Sequence, residues 1–321
     1  MAVNFFLSVF GLYSLVLIIF GTIGNSFTIY ICLRKRLRSY TTFIFIAFIC
    51  FSDIFSLYIW CLDHFSEAFF KTVIEEIGII SCRVSFFQQV SSLQSSSWLL
   101  VALSLDRYLG VRFRTWRSLY FKAHQAVFCS FALIFLILII NSQILVLAGD
   151  ETDGDFDCYY NDAHHGWVKT WTKVHTYLYS IIPSIFLAIL NTMVFYKTWK
   201  NNMRISNGIS DVESNKIRKK RFGLVIAILT LGFMLTTLPS AIITGYFHSS
   251  LNSRNETKIY IYICDSMAFT YHSSKFIVLA ISNTQFKKEL LLFAHEFLNK
   301  LECLQERFYP NYSKSITESS G

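Results

Sequence analysis

Seven apolar runs, each long enough to cross a bilayer as a helix, divide this chain. Only 16% of its residues are charged, whereas a soluble domain carries about 25%. The pattern predicts an all-α membrane protein, a seven-transmembrane helix bundle that occupies residues 1–300 as one domain. The runs are called spans 1 to 7 below, and they are Phe5–Leu33, Tyr40–Leu62, Ile79–Val111, Ala123–Leu147, Trp171–Trp199, Phe222–Phe247 and Ile259–Ser282.

The net charge of +8 lies in the short loops between the spans, which indicates topology rather than nucleic-acid binding. Lys and Arg cluster after spans 1, 3 and 5, whereas the alternate loops are acidic or mixed. Cytoplasmic loops of membrane proteins carry the excess of Lys and Arg. We therefore expect the N-terminus outside the cell and the C-terminus inside.

Two features of the predicted outer loops agree with this orientation. Asn255 begins an Asn-Glu-Thr glycosylation sequon between spans 6 and 7, whereas the sequon at Asn311 falls inside and is expected to be unused. Cys82 and Cys158 also fall outside, where disulfides persist. We predict a Cys82–Cys158 bridge, with two unpaired thiols as the alternative.

The segment after span 7 is too short and too charged to cross the membrane. Its apolar residues recur at helical spacing over about 284–298, which predicts an amphipathic eighth helix on the inner leaflet of the bilayer. Residues 301–321 are predicted to be a disordered cytoplasmic tail. Cys303 in this tail is a candidate for palmitoylation.

Span 3 is the most polar of the seven runs. A helix from Cys82 to Arg107 would be about 37 Å long at about 1.5 Å per residue, so its two ends reach opposite membrane faces. A helix this polar should be surrounded by other helices rather than by lipid. It ends in the charged triplet Asp106-Arg107-Tyr108 at the predicted cytoplasmic face.

Several short motifs, each in a different span, resemble the rhodopsin-like (class A) G-protein-coupled receptors over about Leu15–Lys288. The Asp-Arg-Tyr triplet is the most familiar of them, and Cys82 lies 25 positions before Arg107, as the disulfide cysteine of that family does. The other matching residues are Gly24-Asn25, Asp53, Pro183, Phe233, Pro239 and the segment from Asn283 to Lys287.

The resemblance implies a plasma-membrane receptor that binds an extracellular ligand and activates a heterotrimeric G protein, with no enzymatic activity, cofactor or metal. It also implies that Asp106 holds Arg107 in the resting state and that Arg107 meets the G protein. Pro183, Phe233 and Pro239 would act as hinges, since proline removes a backbone hydrogen bond and bends a helix.

The chain departs from the family in the spans that would carry the signal. Thr237 stands where span 6 usually has Trp, and Asn191 where span 5 usually has Tyr. Lys275 stands where span 7 usually has the Asn of an Asn-Pro-x-x-Tyr motif.

An ionisable side chain in mid-membrane is a functional candidate. We hypothesise that Lys275 pairs with Asp53, beside Ser96 and Asn25, and takes the place of the sodium ion that the family binds there. The alternative is that Lys275 extends to the inner membrane face.

The ligand pocket should open outward among spans 2, 3, 5, 6 and 7. Amine receptors place an Asp in span 3 where this chain has Gln89, which argues against a biogenic amine. Asp63, His175 and Asp265 are further pocket candidates, and the loop before Cys158 is strongly acidic. These charges favour a basic peptide as ligand, although an acidic loop that serves only solubility is the alternative.

Other function classes fit the sequence less well. An opsin would bind retinal through a lysine about two helical turns nearer the outside, where this chain has Phe269. A transporter or channel would need a polar path, for which inverted repeats would be further evidence, and neither is evident. A membrane enzyme would need a metal cluster, and the eight His residues are scattered along the chain.

Overall fold

The computed structural model describes residues 2–113, 115–152, 155–158, 166–206, 213–247 and 255–308. A helix is present in each of the seven spans, and most helices extend beyond the apolar run that predicted them. An apolar run measures the depth of the hydrocarbon, whereas the helix continues into the interface. The helices of spans 1 to 4 are Ala2–Cys32, Thr41–Phe70, Ile79–Arg112 and Ala123–Asn141, with a single further turn at Ile144–Leu147.

Spans 5 to 7 are interrupted helices. Span 5 comprises Trp167–Thr176, a π-helical segment at Tyr177–Ile181, and Ile182–Ser206. Span 6 comprises Glu213–Ile242 and a π-helical segment at Ile243–Phe247. Span 7 comprises Asn255–Ser273 and Lys275–Ser282, with a break at Ser274, and the terminal helix follows at Thr284–Phe308.

The polarity of each helix follows its position in the bundle. Among the described residues, five helices are long and apolar enough to cross a membrane by composition alone, and spans 3 and 7 are not among them. The polar run of span 3 is buried throughout, from Ser91 to Ser97. Span 3 contacts spans 2, 4 and 5, so the expectation that other helices surround it is confirmed.

The outer surface of the bundle is apolar where lipid would lie. Phe128, Phe131 and Phe135 follow one face of span 4 and are 60–74% exposed. Burial of large apolar side chains in water-soluble proteins is the rule, so a row of exposed phenylalanines indicates a hydrocarbon environment. The core inside the helices is also apolar, with Phe43, Leu99 and Leu103 fully buried.

The loop between spans 4 and 5 departs from the all-α prediction. Asp150–Thr152 and Asp155–Asp157 form a short antiparallel hairpin in which Asp150 pairs with Asp157. The predicted Cys82–Cys158 disulfide directly follows it and is buried against Ile144 and Val168. Acidic residues are depleted in strands, so nothing in the sequence pattern predicted this hairpin.

The terminal helix is longer than predicted. It begins where the Asn283 side chain accepts hydrogen bonds from the backbone N–H groups of Gln285 and Phe286, which is an N-cap arrangement. It then continues to Phe308, so the predicted end near residue 298 is too early and residues 301–308 are helical rather than disordered. Residues 309–321 of the predicted tail lie outside the described residues.

One basic residue fastens this helix to the bundle. Arg34, in the loop between spans 1 and 2, donates hydrogen bonds to Glu289 at 2.7 Å and to Glu296 at 2.8 Å. These two carboxylates, Glu289 first, hold the pKa of the guanidinium above its ordinary value. The ring of Phe293 lies between them in sequence and packs 5.8 Å from the guanidinium carbon.

Candidate functional site

Asp53, in the middle of span 2, is the centre of a buried polar cluster. The ammonium nitrogen of Lys275 lies 2.9 Å from Asp53 Oδ2, and both side chains are almost completely inaccessible to solvent. Ser96 of span 3 donates a hydrogen bond to Asp53 Oδ1 at 2.6 Å. The Asp53–Lys275 pair expected from the sequence is therefore present, and Lys275 does not extend to the membrane face.

Lys275 begins the second helix of span 7, directly after the break at Ser274. Its ammonium group also donates to the carbonyl oxygen of Tyr271 at 3.2 Å and lies 3.5 Å from the centre of the Tyr271 ring. A carboxylate, a carbonyl and an aromatic face are the groups that stabilise an ammonium out of water. The break in span 7 thus places the Lys275 ammonium group against span 2.

His272 is a member of this cluster that the sequence reasoning missed. Its Nδ1 lies 2.6 Å from Asp53 Oδ1, and its ring is fully buried. The spacing of three residues between His272 and Lys275 would have placed both on one face of a helix. That spacing is the signal in the sequence that links His272 to Lys275, although the eight histidines as a set are scattered along the chain.

Asn25 takes part in the cluster through the backbone. Its Nδ2 donates to the carbonyl oxygen of His272 at 3.1 Å. His272 lies in the last turn of its helix, where carbonyl groups lack donors from the same helix. Asn25 therefore joins span 1 to span 7 at the break and does not contact Asp53 directly.

A small cavity of about 60 Å³ lies between spans 2, 3, 5, 6 and 7, on the side of this cluster that faces the Cys82 end of span 3. Three of the four predicted pocket residues line it, namely Gln89, His175 and Asp265. Asp63 does not, because its carboxylate accepts the backbone N–H of Ile74 at 2.8 Å and holds the loop between spans 2 and 3. Asp63 is therefore a loop anchor rather than a pocket residue in this structure.

Asp265 brings a negative charge to the cavity wall. It is 1% exposed, and its carboxylate accepts hydrogen bonds from Trp60 Nε1 at 3.0 Å and from Ser240 Oγ at 2.6 Å. His64 Nε2 lies 3.5 Å from the same carboxylate. Donors from spans 2 and 6 thus hold a span 7 carboxylate in a position where a ligand cation could reach it.

Two further polar side chains line the cavity from spans 3 and 5. His175 Nδ1 lies 3.1 Å from Gln94 Nε2, and Gln94 Oε1 accepts a hydrogen bond from Asn141 of span 4 at 2.9 Å. Gln89 Oε1 is buried and has no hydrogen-bond partner among the described residues. An unpaired buried acceptor beside a cavity is suited to a ligand donor.

The Asp-Arg-Tyr triplet lies at the other end of span 3. Asp106 accepts hydrogen bonds from Thr41 of span 2 at 2.8 Å and from Trp116 Nε1 of the loop between spans 3 and 4 at 3.2 Å. Asp106 is buried, whereas Arg107 and Tyr108 are partly exposed at the surface. The carboxylate thus joins span 3 to two neighbouring elements, and its role in holding Arg107 stays a prediction.

The predicted hinge prolines both adjoin π-helical segments. Pro183 follows the segment Tyr177–Ile181, and Pro239 lies inside the span 6 helix, shortly before the segment Ile243–Phe247. Single π-helical turns within α-helices often mark functional positions. Phe233 is buried between the Tyr179 ring, at 5.9 Å, and the Tyr271 ring, at 5.8 Å.

For two further predicted positions, the structure does not describe the side chain. The side chains of Asn255 and Cys303 lie outside the described residues, so glycosylation and palmitoylation there stay predictions. Within the described ranges, no group of three or more His, Cys, Asp or Glu side chains is arranged to hold a metal ion.

Comparison with known proteins identifies a family model and several receptors that this chain resembles. The family model described as "7 transmembrane receptor (rhodopsin family)" matches residues 24–274, well over half of the chain. Neuropeptide receptor 22 of Caenorhabditis elegans is 21% identical over 89% of this chain and 69% of its own length. Galanin receptor 2b of Danio rerio is 23% identical over 84% of this chain and 70% of its own. Cysteinyl leukotriene receptor 2 of Homo sapiens is 22% identical over 97% of this chain and 86% of its own.

Proposed function

We propose a basic peptide ligand and a heterotrimeric G-protein partner for this chain, which belongs to the rhodopsin family of seven-transmembrane receptors. As a member of that family it is a multi-pass plasma-membrane receptor for an extracellular ligand and not an enzyme. The distribution of Lys and Arg among its loops supports an extracellular N-terminus and a cytoplasmic C-terminus.

The observation that carries the ligand class is the buried carboxylate of Asp265 in the cavity wall. A buried anion favours a cationic ligand group, because complementary charge offsets the desolvation of both partners. The acidic residues of the second extracellular loop, Asp150 to Asp157, would attract a basic peptide before it enters. One relative is named a neuropeptide receptor, which agrees with this class.

A second candidate ligand is a lipid mediator. A relative that aligns with 97% of this chain is named a cysteinyl leukotriene receptor, and much of the cavity wall is apolar, with Phe86, Val90 and Leu93 on span 3. The position of Lys275 argues against the opsin alternative, since its ammonium is paired with Asp53 and does not line the cavity.

The proposed function is tested by nucleotide exchange on a panel of heterotrimeric G proteins, with membranes that contain the receptor at confirmed surface density. A library of basic peptides and a library of neutral and acidic lipids are applied in parallel. We expect at least one basic peptide to stimulate exchange and Arg107→Ala to abolish the response without loss of surface density. Activation by lipids alone would overturn the peptide proposal, and no response to either library would count against receptor function.

Asp265→Asn is the matched test of the ligand class, because it removes the charge and keeps the size of the side chain. We expect it to raise the half-maximal concentration of an activating basic peptide at least about tenfold, since hydrogen bonds to a charged group contribute about 1.5–3 kcal/mol. Asp63→Asn is the control, because Asp63 holds a loop and does not line the cavity. Equal effects of the two substitutions would show that Asp265 does not contact the ligand.

A further inference from the structure

A continuous chain of buried polar side chains joins the ligand cavity to the Asp53–Lys275 pair. Tyr179, which lines the cavity from span 5, has its hydroxyl 3.2 Å from His272 Nε2. The other ring nitrogen of His272 contacts Asp53 at 2.6 Å, and Asp53 contacts Lys275 at 2.9 Å. We propose that Tyr179 and His272 are positioning residues that couple occupancy of the cavity to the ion pair between spans 2 and 7.

Charge balance within this series of polar side chains favours a neutral His272. Lys275 already balances the charge of Asp53, so a neutral His272 leaves the cluster without net charge. With its proton on Nδ1 toward Asp53, His272 can accept a hydrogen bond from the Tyr179 hydroxyl at Nε2. The imidazole therefore transmits the position of the tyrosine hydroxyl directly to the carboxylate.

Burial makes each link sensitive to its neighbour. The four side chains from Tyr179 to Lys275 are at most 5% exposed. Hydrogen bonds in such surroundings strengthen one another, and an unpaired member costs its full desolvation. A ligand that draws the Tyr179 hydroxyl away would leave His272 Nε2 without its donor, and the contacts of Asp53 would have to readjust.

Span 5 contains an element that can move Tyr179. Tyr179 lies within the π-helical segment Tyr177–Ile181, three residues before the helix of Pro183 begins at Ile182. A π-helical turn pairs residues five apart, whereas the α-helix pairs residues four apart, so interconversion of the two rotates the side chains in that turn. His175, one turn earlier, stacks on the Tyr179 ring and also lines the cavity, so ligand contacts act on this segment at two points.

Span 6 contacts the same series of buried side chains through apolar groups. Phe233 packs against Tyr179 on one side and against Tyr271 on the other, and the Lys275 ammonium lies over the Tyr271 ring. A movement of Tyr179 therefore changes the packing of span 6 as well as the hydrogen bond to His272. Spans 2, 5, 6 and 7 are thus joined at one place, below the cavity.

The inference rests on the proposed receptor function, and two measurements separate its failure from a failure of that function. The first is a double-substitution cycle of Tyr179→Phe and Lys275→Met on the thermal unfolding midpoint of the purified receptor, repeated in a His272→Leu background. The second is ligand-independent nucleotide exchange on the G-protein panel at matched surface density. Tyr13→Phe is the control. The Tyr13 hydroxyl bonds Thr270 of span 7 at 2.7 Å and takes no part in the contacts that run from Tyr179 to Lys275.

We expect the effects of Tyr179→Phe and Lys275→Met on the thermal unfolding midpoint to be non-additive when His272 is present. In the His272→Leu background, we expect the two effects to be additive. We expect Tyr179→Phe and His272→Asn each to change basal exchange at least about threefold in the same direction, a size typical of coupled residues. Tyr13→Phe should leave exchange unchanged.

Additive effects of the two substitutions on the unfolding midpoint in the presence of His272 would overturn the inference. It would also be overturned if Tyr179→Phe changed basal nucleotide exchange no more than Tyr13→Phe does. If no variant and no peptide produced exchange while the midpoints stayed non-additive, the physical coupling would stand and the proposed receptor function would be the part that failed.

Discussion

Lys275→Met is expected to lower the free energy of unfolding by about 3–5 kcal/mol, the loss that follows when one partner of a buried ion pair is removed. Asp53 would remain as an uncompensated carboxylate, fully buried in the bundle. Ser96 and His272 still contact the carboxylate, which places the expected loss toward the lower end of this range. The shift in the thermal unfolding midpoint of the purified receptor measures it.

The same substitution should make the receptor sensitive to sodium. Removal of the ammonium group leaves an anion, a serine hydroxyl and the carbonyl oxygen of Tyr271 around the vacated space. Hard cations prefer oxygen ligands, so sodium in the millimolar range should raise the unfolding midpoint of Lys275→Met. The native receptor should show no such dependence, because Lys275 already supplies the positive charge.

The double substitution Asp53→Asn with Lys275→Met is the matched control. Replacement of both members of a buried pair by neutral groups is often close to neutral in stability, so most of the loss should be recovered and the sodium effect should disappear. Sodium dependence of the native receptor, or native stability of Lys275→Met, would contradict the assignment of Lys275 as a built-in counter-ion.

The architecture of this receptor was largely predictable, because the hydrocarbon thickness imposes a length and a polarity that the sequence records directly. The seven spans and the burial of span 3 both follow from that constraint. The pairing of Asp53 with Lys275 was predictable for a similar reason, since an isolated charge in mid-membrane requires a partner.

The features that the sequence did not predict depend on contacts between distant segments. Tyr179 and His272 are 93 residues apart, and neither carries a charge that demands a partner. Asp63 and Asp265 looked equivalent in the sequence, yet one holds a loop backbone and the other lines the cavity. The π-helical segments beside the two prolines and the break at Ser274 are also products of packing, which local propensity does not record.

Loss of the Cys82–Cys158 disulfide is the second large effect that the structure predicts. The bridge joins residues 76 apart, and removal of a native disulfide of this kind costs about 2–5 kcal/mol, mainly through the freedom gained by the unfolded chain. The double substitution Cys82→Ala with Cys158→Ala should lower the unfolding midpoint, and reductant should lower that of the native receptor but not of the double variant. Cys129→Ala, which removes a half-buried free cysteine, is the control and should have little effect.

The bridge should also matter for ligand binding, because it belongs to the same buried cluster as Phe86 and Val90 of the cavity wall. Cys82 lies on the same helix as Phe86 and Gln89, which line the cavity one to two turns below it. The hydrogen bond from Arg83 Nε to the Ala148 carbonyl, at 2.8 Å, still holds the end of span 4 when the bridge is absent, so the fold should survive. We therefore expect the double variant to reach the membrane but to need at least about tenfold more activating peptide. An unchanged peptide response, together with an unchanged midpoint, would show that the hairpin loop neither stabilises the receptor nor takes part in recognition.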